Sequence, residues 1–361
     1  MFMSSGPAPT HSTTGSTPTV AQEAVMGVTN PREELRNTSA AGEHHPTDPD
    51  IIFQRTVGMQ VNLRLEEILA GPNFMDNVRS DGDMRSVTGL ETIAMFQGIV
   101  RCVRMRCDPE CDVERNVVIS LMKVKHDVSF SLLGVLFRLS VTAVANIFKQ
   151  TITIMSVVLA PVLRWPSVEE VRENMPKCFQ KFQKTRVILD CTEFSVECSK
   201  CLRCRISSYS NYKGQNTVKV LVGVSPAGLI TFLSDAWGGK ASDKEIFNGT
   251  RLVDMLEPYV DAVMVDKGFH IELELRERGI ELFRPPFLRN KKQFSKAEAN
   301  LTAEIAAARV HVERVIGRLK QFKLLTGKVQ WGLLPYMNCV LRVTSAITNL
   351  SRPVLAPERF L

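Results

Sequence analysis

The stretches TRVILD (Thr185–Asp190) and AVMVD (Ala262–Asp266) decide the fold. Each is a short, β-branched apolar run of the kind that forms a buried strand, and each stops on a carboxylate. Val218–Val224 and Leu229–Leu233 lie between them and have the same character, and a weaker fifth run, Glu281–Arg284, precedes Pro285-Pro286. Helical spacing intervenes at Lys244–Leu256, Ile271–Arg278 and Ala297–Phe322, so the order reads β-β-β-α-β-α-β-α. Three consecutive strands on short turns predict an antiparallel meander. The alternation that follows extends it in parallel, giving a mixed α/β layer over 166–350. Side chains at the carboxyl ends of such strands line the functional crevice, which makes Asp190 and Asp266 candidates, although Asp also ends strands as a turn or cap residue. Glu313 is the third. The long helix carries a core stripe of Leu301, Ile305, Ala308, Val312, Val315 and Leu319. Glu313 falls on the flank of that stripe, where it either reaches the sheet edge or forms a solvated (i, i+4) pair with Arg309. Three carboxylates so placed can hold two Mg²⁺ or Mn²⁺ ions for in-line attack on a phosphodiester.

Upstream, residues 51–165 read as helical. Leu63, Leu65, Ile68 and Leu69 recur at helical spacing, then Leu90, Ile93, Phe96, Ile99, Val100 and Val103 follow a cap at Thr88, and Val117–Val124 continues the pattern. Residues 128–154 carry two short helices joined near Arg138-Leu139-Ser140: a helix-turn-helix, or two ordinary packed helices, since Lys149 is the only basic residue of the second. Residues 1–50 are rich in Pro, Ser, Thr and Gly and poor in large apolar side chains, so a disordered tail is predicted there, and 351–361 form a C-terminal tail.

Apolar residues make 44% of the 361 and charged residues 23%, which excludes collagen-like, low-complexity and disulfide-knot classes. The longest apolar run, Ile152–Leu163, is interrupted by Thr153, Ser156 and Pro161, so no membrane span is expected. The start of the chain lacks the pattern of a secretory signal, and nine Cys then read as free thiols of a reducing compartment, or at most a metal site, rather than a disulfide framework. Residues 1–50 carry a net charge of −4, leaving +11 on 51–361. A basic surface of that size favours polyanions, nucleic acid first.

The motifs DCTE (Asp190–Glu193), SSYSNYKGQNTVK (Ser207–Lys219), VGVSPAG (Val222–Gly228), WGGKASDKE (Trp237–Glu245), VDKGF (Val265–Phe269), RPPF (Arg284–Phe287) and HVERVIGRLK (His311–Lys320) occur in this order. In order and spacing they resemble the DDE-superfamily transposase domain of PIF/Harbinger elements and their domesticated nuclease relatives. The likeness is strongest over 187–323 and weaker over 86–186, where TGL (Thr88–Leu90) and the 128–154 helices are similar to the family's DNA-binding part. The resemblance implies an RNase H-like fold with Asp190, Asp266 and Glu313 as its metal-binding catalytic triad. It implies Mg²⁺ or Mn²⁺ as cofactor, cleavage of DNA at element ends, and joining of the freed 3′-hydroxyl to target DNA. A Myb-like DNA-binding helper, a homo-oligomer and a nuclear location come with it. A catalytically silent DNA-binding protein and a nuclease without strand transfer are the alternatives.

One stretch departs from the family pattern. Glu197–Cys204 reads ECSKCLRC, and Cys198, Cys201 and Cys204 are spaced as three zinc ligands without a fourth, so free thiols on a variable loop are expected. Cys102, Cys107 and Cys111 likewise lack His partners. Two surfaces are candidates for DNA. Leu288–Lys323 has a net charge of +6 and includes an (i, i+4) row of Arg314 and Arg318. Ser207–Lys219 interleaves Tyr209, Asn211, Tyr212, Lys213, Gln215 and Lys219, with Tyr212 either stacking on unpaired bases or packing under a turn at Gly214. His311 is read as a surface or DNA-facing histidine rather than a metal ligand. Ser242 or Asp243 is expected to cap a helix, and Asp235 is the substitute acid if Asp266 is dispensable.

Overall fold

The computed structural model describes residues 74–288 and 293–355. The expected tail over 1–50, the Leu63–Leu69 helix, Arg289, Lys291, Lys292 and residues 356–361 lie outside the described residues. Those described form a mixed α/β fold with an N-terminal helical region.

Helix α1 (Asp81–Thr88) opens on a capping box in which Ser80 and Asp83 satisfy each other's backbone. Thr88 closes this helix and does not cap the next. Its hydroxyl donates to the Met84 carbonyl, Gly89 takes a left-handed φ of 83°, and Thr92 caps α2 (Ile93–Arg104). Helix α3 (Val113–His126) is buried on nearly every side. Two helices follow, α4 (Phe130–Phe137) and α5 (Val141–Val158), capped by Ser129 and Ser140. Their joint is Arg138-Leu139-Ser140, with Arg138 at φ 54°. Among the described residues, α5 alone is long and apolar enough to cross a membrane. Its stripe of Val144, Phe148, Ile152 and Met155 is instead buried in the core.

Gly134 lets α4 and the turn touch. A Cβ there would stand 2.7 Å from the Leu139 carbonyl oxygen. Alanine normally favours a helix interior over glycine by about 1 kcal/mol. Here the clash with backbone reverses the sign, and Gly134→Ala should destabilise the fold by about 1–3 kcal/mol in urea melts.

After α6 (Val168–Glu173) the sheet begins with β1 (Thr185–Ser195), which does not end at Asp190. It continues through DCTEFS because β3 (Gln215–Val224) pairs with it antiparallel as far as Ser195 opposite Thr217. Between them the expected loop is partly ordered as helix α7 (Leu202–Ser208) and the short strand β2 (Tyr209–Ser210). Since β1 fills one edge of β3, the other edge takes β2, β5 (Trp237–Gly238) and β4 (Ile230–Leu233) in turn. Beyond β1 lie β6 (Ala262–Val265) and β7 (Glu281–Phe283), both parallel to it. The helix expected over 244–256 is shorter: α8 (Asp243–Asn248) stops at Gly249, and a 3₁₀ turn covers Leu252–Met255. Helices α9 (Glu272–Glu277), α10 (Lys296–Leu319), α11 (Lys323–Thr326) and α12 (Met337–Leu350) complete the chain.

The sheet separates two cores. Ile188, Phe194, Val218, Val220, Val222 and Met264 face α10, α12 and the N-terminal helices, whereas Val187, Leu189, Leu221, Val263 and Val265 face Ile246, Phe247 and Leu275 of α8 and α9. Leu301, expected in the α10 stripe, is 40% exposed, so the stripe begins at Ile305.

Candidate functional site

Strand alternation sends Asp190 to the same face as Ile188, the face covered by α10. Asp266, one residue past β6, follows the parity of Met264 and reaches that face too. The parallel register pairs Leu189 with Val265, so the next residues on the two strands, Asp190 and Asp266, are neighbours. Glu313 projects from α10 beside its buried row of Ala308, Val312 and Val315. All three acids therefore lie on the side of the sheet covered by α10, around Arg309. Asp190 does so from mid-strand rather than from the strand end that its apolar run suggested.

Arg309, one turn before Glu313, lies among the three. Its Nη1 donates to Asp266 Oδ1 at 3.1 Å and stands 3.7 Å from Glu313 Oε1, and its Nη2 is 3.9 Å from Asp190 Oδ1. The Arg309 side chain is only 10% exposed, while those of Asp266 and Glu313 are about half exposed, so the crevice opens to solvent past these two acids. Burial pushes the Asp190 carboxyl up to about 6. Arg309 pulls against that rise, and Asp266 and Asp243 add to it. The donor set, all carboxylate oxygen, has the chemistry of a Mg²⁺ or Mn²⁺ site. The guanidinium lies among them, and no three His, Cys, Asp or Glu side chains are grouped closely enough to hold one ion among the described residues.

Several sequence candidates stand elsewhere. Lys219 is not free for DNA. It lies on the opposite face of the sheet, directly across from Glu193, with Nζ 3.5 Å from Glu193 Oε1 and 3.3 Å from Asp243 Oδ1, and it donates to the Ala241 carbonyl. Burial works against its charge, but the Asp243 and Glu193 carboxylates outweigh it and raise the lysine's pKa. Ser242, not Asp243, caps α8, in a capping box with Glu245. Arg318 donates to the Arg352 and Pro353 carbonyls and so secures the segment after α12. His311 is no surface group: it is buried, with Nε2 3.1 Å from Cys178 Sγ and its ring stacked on Phe179. Asp235 is bound to Asn338 and Arg342 of α12.

Other candidates remain on the surface. Arg314, Lys296, Lys320 and Lys323 are exposed along α10 and its continuation. Tyr212 is 83% exposed, which rules out packing under the Gly214 turn, and Lys213 Nζ lies 4.7 Å from its ring centroid. Tyr209 is exposed beside an open cavity of about 570 Å³ lined by Leu202, Arg205, Ile206, Asn211 and Lys240. Cys201 is the N-cap residue of α7 and Cys204 lies in its first turn; neither is in a disulfide.

The fold and its acids together describe a mixed sheet that presents carboxylates to a helix across one face, preceded by a helix-turn-helix. Residues 189–349, from within β1 to the end of α12, match the family described as DDE superfamily endonuclease. Residues 112–161, which take in α3, α4 and α5, match the helix-turn-helix of DDE superfamily endonuclease. The two matches relate the described region to DDE-type transposases. No curated protein and no solved structure matches the chain.

Proposed function

We propose that this chain is a divalent-metal-dependent DNA endonuclease of the DDE type, of PIF/Harbinger kind, on an RNase H-like sheet. The convergence of Asp190, Asp266 and Glu313 on one face carries the reading. Supporting the RNase H-like assignment is the strand order: a β1-β3-β4 meander with β6 and β7 added in parallel beyond β1. Asp190 and Asp266 would hold Mg²⁺ or Mn²⁺, with Glu313 completing the donors. A bound ion supplies Lewis-acid polarisation of the phosphodiester and an activated nucleophile at neutral pH. The chain's own groups orient the scissile phosphate and exclude a misplaced attack by keeping the acids on rigid elements. Transfer of the freed 3′-hydroxyl to a target, assembly with a second copy, a Myb-like helper and a nuclear location belong to the same proposal.

DNA would meet the chain at two places. The second helix of the helix-turn-helix, α5, exposes Thr142, Asn146 and Gln150 at four-residue intervals, amide and hydroxyl groups suited to base edges. Phosphates would be met by the exposed cations along α10, and an unpaired strand by Tyr209, Tyr212 and Lys213. Arg314→Ala should lower the log–log salt slope of duplex binding by about 0.9, whereas Arg318→Ala should leave the slope alone and lower thermal stability. Equal slopes for Arg314→Ala and wild type would remove Arg314 from the DNA surface.

A silent DNA-binding domain is the second reading, favoured by the guanidinium that already neutralises part of the acidic cluster. Nicking of plasmid or end-sequence DNA in Mn²⁺, run beside gel shifts on the same samples, separates the two. Binding without cleavage in any divalent metal would establish the silent domain.

A further inference from the structure

Three carboxylates facing one another repel, and among the described residues Arg309 is the cation in contact with all three. A guanidinium keeps its charge at every pH a protein tolerates, and its planar fork of donors serves several acceptors at once. The fit is incomplete. Only the bond to Asp266 has hydrogen-bonding geometry, and the buried Nε has no hydrogen-bond partner. A buried N–H without a partner costs free energy that its release to water would recover. An imperfect fork, charge-matched but under-bonded, is what a replaceable counter-ion requires.

Resting on the nuclease reading above, we propose that Arg309 is a built-in substitute for the metal: it holds Asp190, Asp266 and Glu313 together in the unloaded protein, and it must give up its place for a divalent ion to bind. Arg309 thereby sets the metal affinity. With the guanidinium in place the cluster carries a net charge of −2; withdrawn, it exposes −3 to the incoming ion. Charges about 4 Å apart interact strongly even at a high effective dielectric, so the guanidinium opposes any cation drawn to the same oxygens. Withdrawal also releases Nε to water, which removes the unpaired buried donor.

The test is Mn²⁺ binding by electron paramagnetic resonance, with thermal melts in chelator and in Mn²⁺. Arg309→Met keeps the aliphatic stem and removes the charge. It should bind Mn²⁺ at least about tenfold more tightly than wild type, melt lower in chelator, and recover the difference in Mn²⁺. Arg309→Lys, which keeps a charge but not the fork, should fall between the two. A folded Arg309→Met with wild-type or weaker Mn²⁺ affinity overturns the proposal. If Arg309→Met folds only when Mn²⁺ is present, the proposal is upheld. If it folds under neither condition, Arg309→Lys decides, and wild-type or weaker Mn²⁺ affinity there overturns the proposal. The variant Asp190→Asn/Asp266→Asn/Glu313→Gln distinguishes the two levels. Undiminished Mn²⁺ binding in it removes the triad itself. Loss of binding there, with no tightening in Arg309→Met, removes only the role given to Arg309.

Discussion

Asp190→Asn and Asp266→Asn should each reduce DNA cleavage in Mn²⁺ by about three orders of magnitude or more, with duplex affinity retained. Each aspartate offers an anionic oxygen at the point where the parallel ladder of β1 and β6 runs out, and an amide there leaves a bound ion underneutralised and displaced. Electrostatic groups aimed at developing charge commonly contribute about 10²–10³ in rate, and a shared metal donor acts on both the attacking and the leaving oxygen. Binding should hold or tighten, since a neutral amide repels phosphate less than a carboxylate does. Glu313→Gln should be impaired in the same direction, because Glu313 is exposed on α10 and its loss leaves the buried helix stripe intact. Parallel nicking and gel-shift measurements read this directly. Persistent cleavage in all three variants would move the active site elsewhere.

The second large effect is on folding. Arg186 and Asp261 are almost fully buried where β1 and β6 begin, with Arg186 Nε 3.7 Å from Asp261 Oδ2. Arg186 Nη2 donates to the Pro166 carbonyl and the guanidinium lies over Trp165, while Asp261 accepts the Glu257 N–H. Removing one partner of a buried pair strands the other, at about 3–5 kcal/mol, so Arg186→Met should be severely destabilised at pH 7. Burial raises the Asp261 pKa, and the Glu257 N–H and Arg186 hold that rise in check. Loss of Arg186 lifts it further. A raised folded pKa means that the native state takes up a proton before the unfolded chain does. Stability of the variant should therefore fall as pH rises from the ordinary carboxylate value through the raised one, and the deficit should shrink toward pH 4. Urea melts at pH 7 and pH 4.5 measure this. Arg186→Met/Asp261→Asn should recover much of the loss at pH 7.

The acids drew attention in the sequence for two reasons, a carboxylate closing each of two apolar runs and the flank of a helical stripe. The two apolar runs stop on Asp190 and Asp266, although strand alternation beside Ile188 and Met264, not a strand end, is what turns Asp190 toward α10, and the three-to-four spacing of Ile305, Ala308, Val312 and Val315 leaves Glu313 on a flank. Composition did not show where β1 ends. Asp190-Cys191-Thr192-Glu193 is too polar to read as strand, and only the partner strand β3 keeps it extended. Lys219 was misread for the same reason, since its partner Glu193 is fixed by a register that local sequence does not encode. Arg309 looked like an ordinary surface partner of Glu313 because an (i, i+4) rule sees one helix and not the sheet beneath it. Arg318 looked free because the Arg352 and Pro353 carbonyls that occupy it lie more than thirty residues on. The joint at Arg138–Ser140 was readable, as Ser caps and left-handed turns are local events.

The helix-turn-helix is not hung from the sheet by a linker. Val144, Phe148 and Ile152 of α5 belong to one continuous apolar core with Leu341 and Val343 of α12, Val312 and Leu319 of α10, and Ile188 of β1. A chain built this way is a calliper with a fixed jaw. On the proposed reading, in which α5 grips DNA and Asp190 meets the phosphate, the distance between the two would be set by side-chain packing, not by the reach of a tether, and would be counted in a constant number of base pairs. Insertion of half a helical turn of DNA between the gripped sequence and the cut would carry the phosphate to the far side of the duplex.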